Sequence, residues 1–185
     1  MIILSNSGGV AMTNCFLVAD ESTKHAVLFD APDHTTDRLL KETTKRGWDL
    51  IGLWLTHGHF DHFADHALVK QHFPAAKILI HPLEEPKAQN PVTVIHTPGH
   101  APGHVSYHFP SENLLIGGDL IIAGSVGRTD LPDSDHAALE ASIRRIMQLP
   151  PKTRLLGGHG PATTLEHERK TNPFVQEALQ HSARG

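Results

Sequence analysis

The run Thr56-His57-Gly58-His59-Phe60-Asp61-His62 follows the apolar stretch Leu50 to Leu55 directly, and it constrains this chain more than any other feature. A short, nearly continuous apolar stretch is the signature of a strand buried on both faces. Sheets in α/β proteins gather their sites at the carboxyl ends of such strands. Imidazole nitrogen and carboxylate oxygen suit borderline ions such as Zn, Mn or Fe. Gly58 is expected to let the backbone turn so that both flanking rings aim inward. The four ionisable side chains cannot all fill one tetrahedral site on so short a loop, but they can divide between two neighbouring ions. A merely solvated histidine-rich loop is the competing reading, and the apolar strand that leads into it argues against that.

Three further candidates repeat the pattern. His100 lies in Thr97-Pro98-Gly99-His100-Ala101-Pro102-Gly103, after the β-rich run Val92 to His96. Asp119 comes after Leu114-Leu115-Ile116-Gly117-Gly118, and His159 sits in Gly157-Gly158-His159-Gly160-Pro161 after Leu155-Leu156. A lone Gly-Asp or Gly-His-Gly is usually just a turn. Glycines beside a ligand at one strand end after another permit the close backbone approach of a crowded site.

The rest of the chain supplies the frame. Asn14 to Ala19 and His25 to Phe29 read as a hairpin around Asp20-Glu21-Ser22-Thr23-Lys24. Asp33-His34-Thr35-Thr36 offers N-caps for a helix whose apolar side includes Leu39 and Leu40 and whose stop is Gly47. A second helix is expected from Phe63 to Phe73, ended by Pro74. Strands are expected at Lys77 to Ile80, Val92 to His96, Val105 to Phe109, Leu114 to Ile116 and Arg154 to Leu156. Asp133-Ser134-Asp135 caps a helix through Met147, and Asn172 to Gln180 forms the last one. Alternating strands and helices predict an α/β fold with helices covering sheet faces. At 185 residues and 20.2 kDa, residues 1–185 are expected to form one domain.

Composition excludes several classes. A net charge of -4 and a pI near 6.4 offer no nucleic-acid-binding surface. No apolar stretch is long enough to span a membrane, and Met1-Ile2-Ile3-Leu4 turns polar too soon for a signal peptide. Against 16 histidines stands the single Cys15, in an apolar run, so it is expected to be a small buried hydrophobe in a reduced, cytoplasmic protein.

Taken together, the His-x-His-x-Asp-His run followed by a later His, an Asp and a final His resembles the metallo-β-lactamase superfamily. Within it the chain is most similar to the compact bacterial type of glyoxalase II, or hydroxyacylglutathione hydrolase. The supporting segments are Thr97-Pro98-Gly99-His100, Gly127-Arg128-Thr129-Asp130-Leu131-Pro132, Gly158-His159-Gly160-Pro161-Ala162-Thr163-Thr164 and Asn172-Pro173-Phe174. The resemblance implies a four-layer αββα sandwich with the site at one edge. It also implies two divalent metal ions, zinc first with iron or manganese as alternatives. His57, His59 and His100 would hold one ion, Asp61, His62 and His159 the other, and Asp119 would bridge them. Its chemistry would be attack of a metal-bridging hydroxide on a thioester carbonyl, with Asp61 and Asp119 as the catalytic carboxylates. S-D-lactoylglutathione or a related acyl-glutathione would be the substrate. Arg128 is then the candidate anchor for the anionic peptide, against a structural pairing with Asp130. Tyr107 is either a pocket or a core residue, with the core favoured. His104 is expected to support the site as a hydrogen-bond donor, and His66 to be an exposed helix residue.

Two departures from larger glyoxalase II enzymes matter. Little chain follows Asn172 to grip glutathione, and residues 83–91 are shorter than the segment relatives place there. The competing functions are a mononuclear-iron persulfide dioxygenase, a hydrolase of another thioester or a lactone, and a non-catalytic metal-binding protein.

Overall fold

The computed structural model describes residues 1–79 and 92–181, so the shortened segment 83–91 and the expected strand end at Ile80 lie outside it. Contacts cluster into two compact units, residues 1–80 and 81–185.

The first unit is built on one mixed sheet of five strands in sequential order: β1 (Ile2–Gly8), β2 (Thr13–Ala19), β3 (His25–Phe29), β4 (Asp49–Trp54) and β5 (Lys77–Leu79). The first three pair antiparallel, and β3, β4 and β5 run parallel. Strand β2 is buried nearly throughout, whereas β1 alternates between exposed and half-buried positions, as an edge strand does. Parallel neighbours need a crossover, and α1 (Asp37–Lys45) supplies the first, burying Leu39 and Leu40 against the sheet. Burial of each such leucine contributes about 1.5–3 kcal/mol.

Between β4 and β5 the expected single helix is two short ones, α2 (Phe60–Phe63) and α3 (His66–His72). The break falls at Asp65. Its N–H donates to the carbonyl of Ala31 (2.8 Å), and its carboxylate accepts from the N–H groups of His34, Thr35 and Thr36. The Thr36 hydroxyl also donates to it (2.8 Å). Asp65 thus organises the start of α1 from the junction between α2 and α3. Thr36 stands at the N-cap with no side-chain cap bond of its own.

The second unit carries a five-stranded sheet of order β12-β11-β8-β7-β6. Its strands are β6 (Thr93–His96), β7 (Val105–Phe109), β8 (Leu114–Gly118), β11 (Arg154–Gly157) and β12 (Thr163–Thr164). A two-stranded ribbon, β9 (Ile121–Ile122) with β10 (Ser125–Val126), leaves the end of β8. Strands β8 and β11 are parallel, joined through the ribbon and α4 (His136–Ile146). Asp135 is the N-cap of α4, accepting from the N–H of Ala138 (3.0 Å). Helices α5 (Leu165–Thr171) and α6 (Pro173–His181) follow, and Leu139, Ile143, Ile146, Leu165 and Val175 share one core with Leu115 and Leu155. Among the described residues no helix is long and apolar enough to cross a membrane.

Candidate metal centre

Strand β4 ends at Trp54 and the chain runs through Thr56 and His57 into α2, so the histidine run sits at a strand's carboxyl end as expected. What holds it there is Asp30, the residue after β3. Asp30 is buried and sits at φ 57°, in the left-handed region that aspartate tolerates better than most residues. Its carboxylate accepts from the Thr56 N–H (2.8 Å), from the Thr56 hydroxyl (2.9 Å) and from Nδ1–H of His62 (2.9 Å). Because the Thr56 hydroxyl donates to Asp30, its oxygen accepts from His57 Nδ1–H (3.0 Å). His57 Nε2 lies 3.0 Å from His59 Nδ1. Asp61 takes the Thr13 hydroxyl at 2.8 Å and lies 3.7 Å from His62 Nε2.

Asp30 escaped the sequence reading, since it meets only half of the pattern that found Asp119. It too is an acid directly after an apolar strand, but no glycine marks it. Gly58 does not play its expected part. Its φ is not positive, and open space surrounds the position where a Cβ would stand.

In the second unit the candidate residues are His100, Asp119 and His159. His159 Nε2 is 3.2 Å and His100 Nε2 3.5 Å from Asp119 Oδ2. His100 donates through Nδ1–H to the carbonyl of Arg128 (2.8 Å), and Ser134 donates to the His100 carbonyl (2.8 Å). Two glycines make this geometry possible. A Cβ on Gly99 (φ 140°) would lie 2.3 Å from the Leu139 backbone, and one on Gly127 would lie 1.9 Å from the Asp119 carbonyl oxygen. The Gly-Arg-Thr-Asp segment is therefore a packing element pressed against the Asp119 turn, and its contribution to His100 is a main-chain carbonyl.

The remaining candidates fall as follows. The Arg128 guanidinium is exposed and forks onto the Asp130 carboxylate at 2.6 Å through each of Nε and Nη2. That hydrogen bonding holds the Asp130 carboxyl below the usual carboxylate range. Tyr107 is buried in β7, paired with Val94 and Ile116. His66 is half-buried rather than exposed, and its ring Nδ1–H donates to the Phe63 carbonyl (2.9 Å). His104 is fully buried, and where a donor was expected its Nε2 accepts the N–H of Asp119 (3.0 Å). Cys15 is buried, donating its S–H to the Asp30 carbonyl (3.0 Å). Burial first, and the charges of Asp30 and Asp65 after it, push its thiol pKa up, so it is an inert packing residue.

The donor set fits divalent metal. His57, His62 and His100 each spend Nδ1–H on a protein oxygen, which leaves the lone pair on Nε2 in each ring. This is the arrangement by which a carboxylate, hydroxyl or carbonyl orients a metal-binding imidazole. Two nitrogens each about 2.0–2.1 Å from one tetrahedral zinc lie about 3.3–3.4 Å apart. The 3.0 Å between His57 Nε2 and His59 Nδ1 is close to that edge.

Comparison with known proteins agrees. Residues 8–93 and 86–159 match the family model described as Metallo-beta-lactamase superfamily. The protein from Haemophilus influenzae called Hydroxyacylglutathione hydrolase GloC is 30% identical over 198 residues, taking in 88% of this chain and 92% of its own. The crystal structure of TTHA1623 in a di-iron-bound form superposes with a TM-score of 0.79 at 34% identity, covering 92% of this chain and 99% of that one. That of ETHE1 from Myxococcus xanthus gives 0.85 at 26% identity, covering 98% and 89%.

Proposed function

Because this chain belongs to the metallo-beta-lactamase superfamily, we propose that it is a binuclear metal-dependent thioesterase acting on S-D-lactoylglutathione or a related acyl-glutathione. Its fold is that of the superfamily, mixed α/β with two five-stranded sheets. Superfamily members bind divalent metal ions and are mostly hydrolases. The ligand assignment is ours: His57, His59 and His100 to one ion, Asp61, His62 and His159 to the other, and Asp119 to both. The observation that carries it is the shared commitment of Nδ1 in His57, His62 and His100. Zinc suits these ligands, and the di-iron form of TTHA1623 supports iron as the alternative. Bound ions would supply a water whose pKa is lowered toward about 7 and would polarise the thioester carbonyl.

The chain's own residues do the rest. Asp30 and Thr56 fix the tautomers of His62 and His57, so both rings arrive ready to ligate without rearrangement. The Asp61 carboxylate, steadied by Thr13, would orient that water as well as ligate. No serine or cysteine nucleophile is needed, and Cys15 is too buried to act as one. Arg128, exposed and cationic, is our candidate anchor for a glutathione carboxylate, exchanging Asp130 for substrate. The likeness to GloC supports the choice of thiol.

The test is the hydrolysis of S-D-lactoylglutathione by purified protein before and after chelation, with metal counted per chain. Rapid, chelator-sensitive cleavage with two ions supports the reading. Two ions without cleavage would discard the substrate and direct the assay to other thioesters and lactones. One iron with oxygen uptake on glutathione persulfide would replace the hydrolase by a dioxygenase.

A further inference from the structure

In the second unit, His104 is spent on the protein at both ring nitrogens. His104 is fully buried, as are Thr97 and Ser106. The Asp119 N–H donates to His104 Nε2 (3.0 Å), so that nitrogen carries no proton. Nδ1 must then be the protonated one, and it donates to Thr97 Oγ1 (2.8 Å). The Thr97 hydroxyl passes the bond on to Ser106 Oγ (3.1 Å), whose own hydroxyl donates to the Gly117 carbonyl (3.2 Å). The chain of donors has one consistent direction, and it begins and ends on the same turn: Asp119 N–H at one end and Gly117 C=O at the other. Between them Gly118, at φ 52°, gives its carbonyl to the N–H of Gly158 (2.8 Å) next to His159.

We propose that His104 is a positioning residue, locked as the neutral Nδ1–H tautomer, that sets the Asp119 main chain and thereby aims its carboxylate between His100 and His159. The inference rests on the reading of Asp119 as a metal ligand. A protonated His104 would meet the Asp119 N–H with another donor, so the network admits only this one form of the ring. A buried network with every member satisfied also resists rotation of the Gly117–Asp119 turn, since any other arrangement leaves a buried donor or acceptor unmade.

Two near-isosteric substitutions divide the ring's roles. In His104→Gln the side-chain oxygen reaches the Nε2 position and keeps an acceptor for the Asp119 N–H. In His104→Asn the amide reaches only the Nδ1 position, keeping the bond to Thr97 and losing the one to Asp119. Metal per chain, after dialysis against graded chelator, is read alongside the melting temperature of the metal-free protein and the split between KM and kcat. His104→Asn should weaken metal retention about 10- to 100-fold, the usual cost of losing an outer-sphere partner, and should lower kcat more than it raises KM. His104→Gln should stay within a few-fold of the parent. Equal retention by the two variants, at whatever level, overturns the proposal. Asp119→Asn is the separate control. If that variant still holds both ions as the parent does, the reading of Asp119 as a ligand fails first. If it loses them while His104→Asn does not, only the positioning role is lost.

Discussion

The two sets of candidate ligands, one in each unit, are built by opposite means. In the first unit the residues from Thr56 to His62 are contiguous, carried off one strand into one short helix, and a single buried side chain, Asp30, sets both His57 (through Thr56) and His62. In the second unit His100, Asp119 and His159 arrive from separate strands, and their support is distributed: the Arg128 carbonyl on His100, the buried His104 ring on the Asp119 N–H, and the turn that Gly127 presses against. Concentration in one carboxylate makes the first half vulnerable at a point. Distribution makes the second vulnerable at several places, to volume at Gly127 and to loss of the acceptor at His104.

The largest expected effect follows from that contrast. Asp30→Ala removes the acceptor of three donors at once, the Thr56 N–H, the Thr56 hydroxyl and His62 Nδ1–H. Leaving buried donors unsatisfied costs about 1–3 kcal/mol each, so destabilisation of about 3 kcal/mol or more is expected. Chemical denaturation should show it, together with loss of metal in whatever fraction remains folded. Retention of full stability and metal would mean that Asp30 does not organise this half.

Gly127→Ala is the matching experiment on the second half. The new methyl would sit 1.9 Å from the Asp119 carbonyl oxygen and 3.1 Å from the His100 Cβ, and the nearer atom is backbone that cannot rotate away. Overpacking of this kind costs about 1–3 kcal/mol. The expected mark is displaced Asp119 and His100 and weakened metal binding, with the first unit's hydrogen exchange unchanged. Equal loss of protection in both units would erase the contrast.

These differences also explain what the sequence could disclose. The contiguous run was legible because strand, loop and ligands are neighbours in the chain. His100, Asp119 and His159 were legible only as a repeated pattern at strand ends, and their roles came from resemblance. The strands β2, β3 and β4 were read close to their bounds, since burial on both faces writes itself as an apolar run, and β7 was read from its Val, Tyr and Phe. Strand β1 was missed because an edge strand with exposed positions carries polar residues such as Ser5 and Asn6. The two-residue strands β9, β10 and β12 are too short for any period to show. The split at Asp65 was invisible for another reason, since the carboxylate answers to Thr35 and Thr36, about thirty residues away.

A smaller effect distinguishes the units by acid. His108, on β7 of the second unit, has its pKa lowered by burial. A depressed imidazole pKa means that the unfolded chain binds the proton more readily. The contribution to stability is therefore complete above the unfolded value of about 6.5 and is lost as pH falls through the lower folded value. His108→Gln should flatten the decline in stability of the metal-free protein below that pH, measured by denaturation at a series of pH values. An unchanged decline would assign the acid sensitivity to other groups.

The smallest effect on stability belongs to Arg128→Ala, and it is the most informative about substrate. The Arg128–Asp130 pair is largely exposed, and such pairs are worth about 0–1 kcal/mol. The bond that Arg128 does make to the site comes from its carbonyl, which alanine retains. The variant should therefore melt within a few degrees of the parent and keep both metals. If the guanidinium leaves Asp130 to grip a glutathione carboxylate, KM for S-D-lactoylglutathione should rise about tenfold or more, as loss of a charge-assisted bond of about 1.5–3 kcal/mol predicts. Hydrolysis of a thioester without that carboxylate should be unaffected. A KM that does not move leaves the Gly-Arg-Thr-Asp segment as backbone support alone. The distributed half of the centre would then owe nothing to the side chain that stands out most in its sequence.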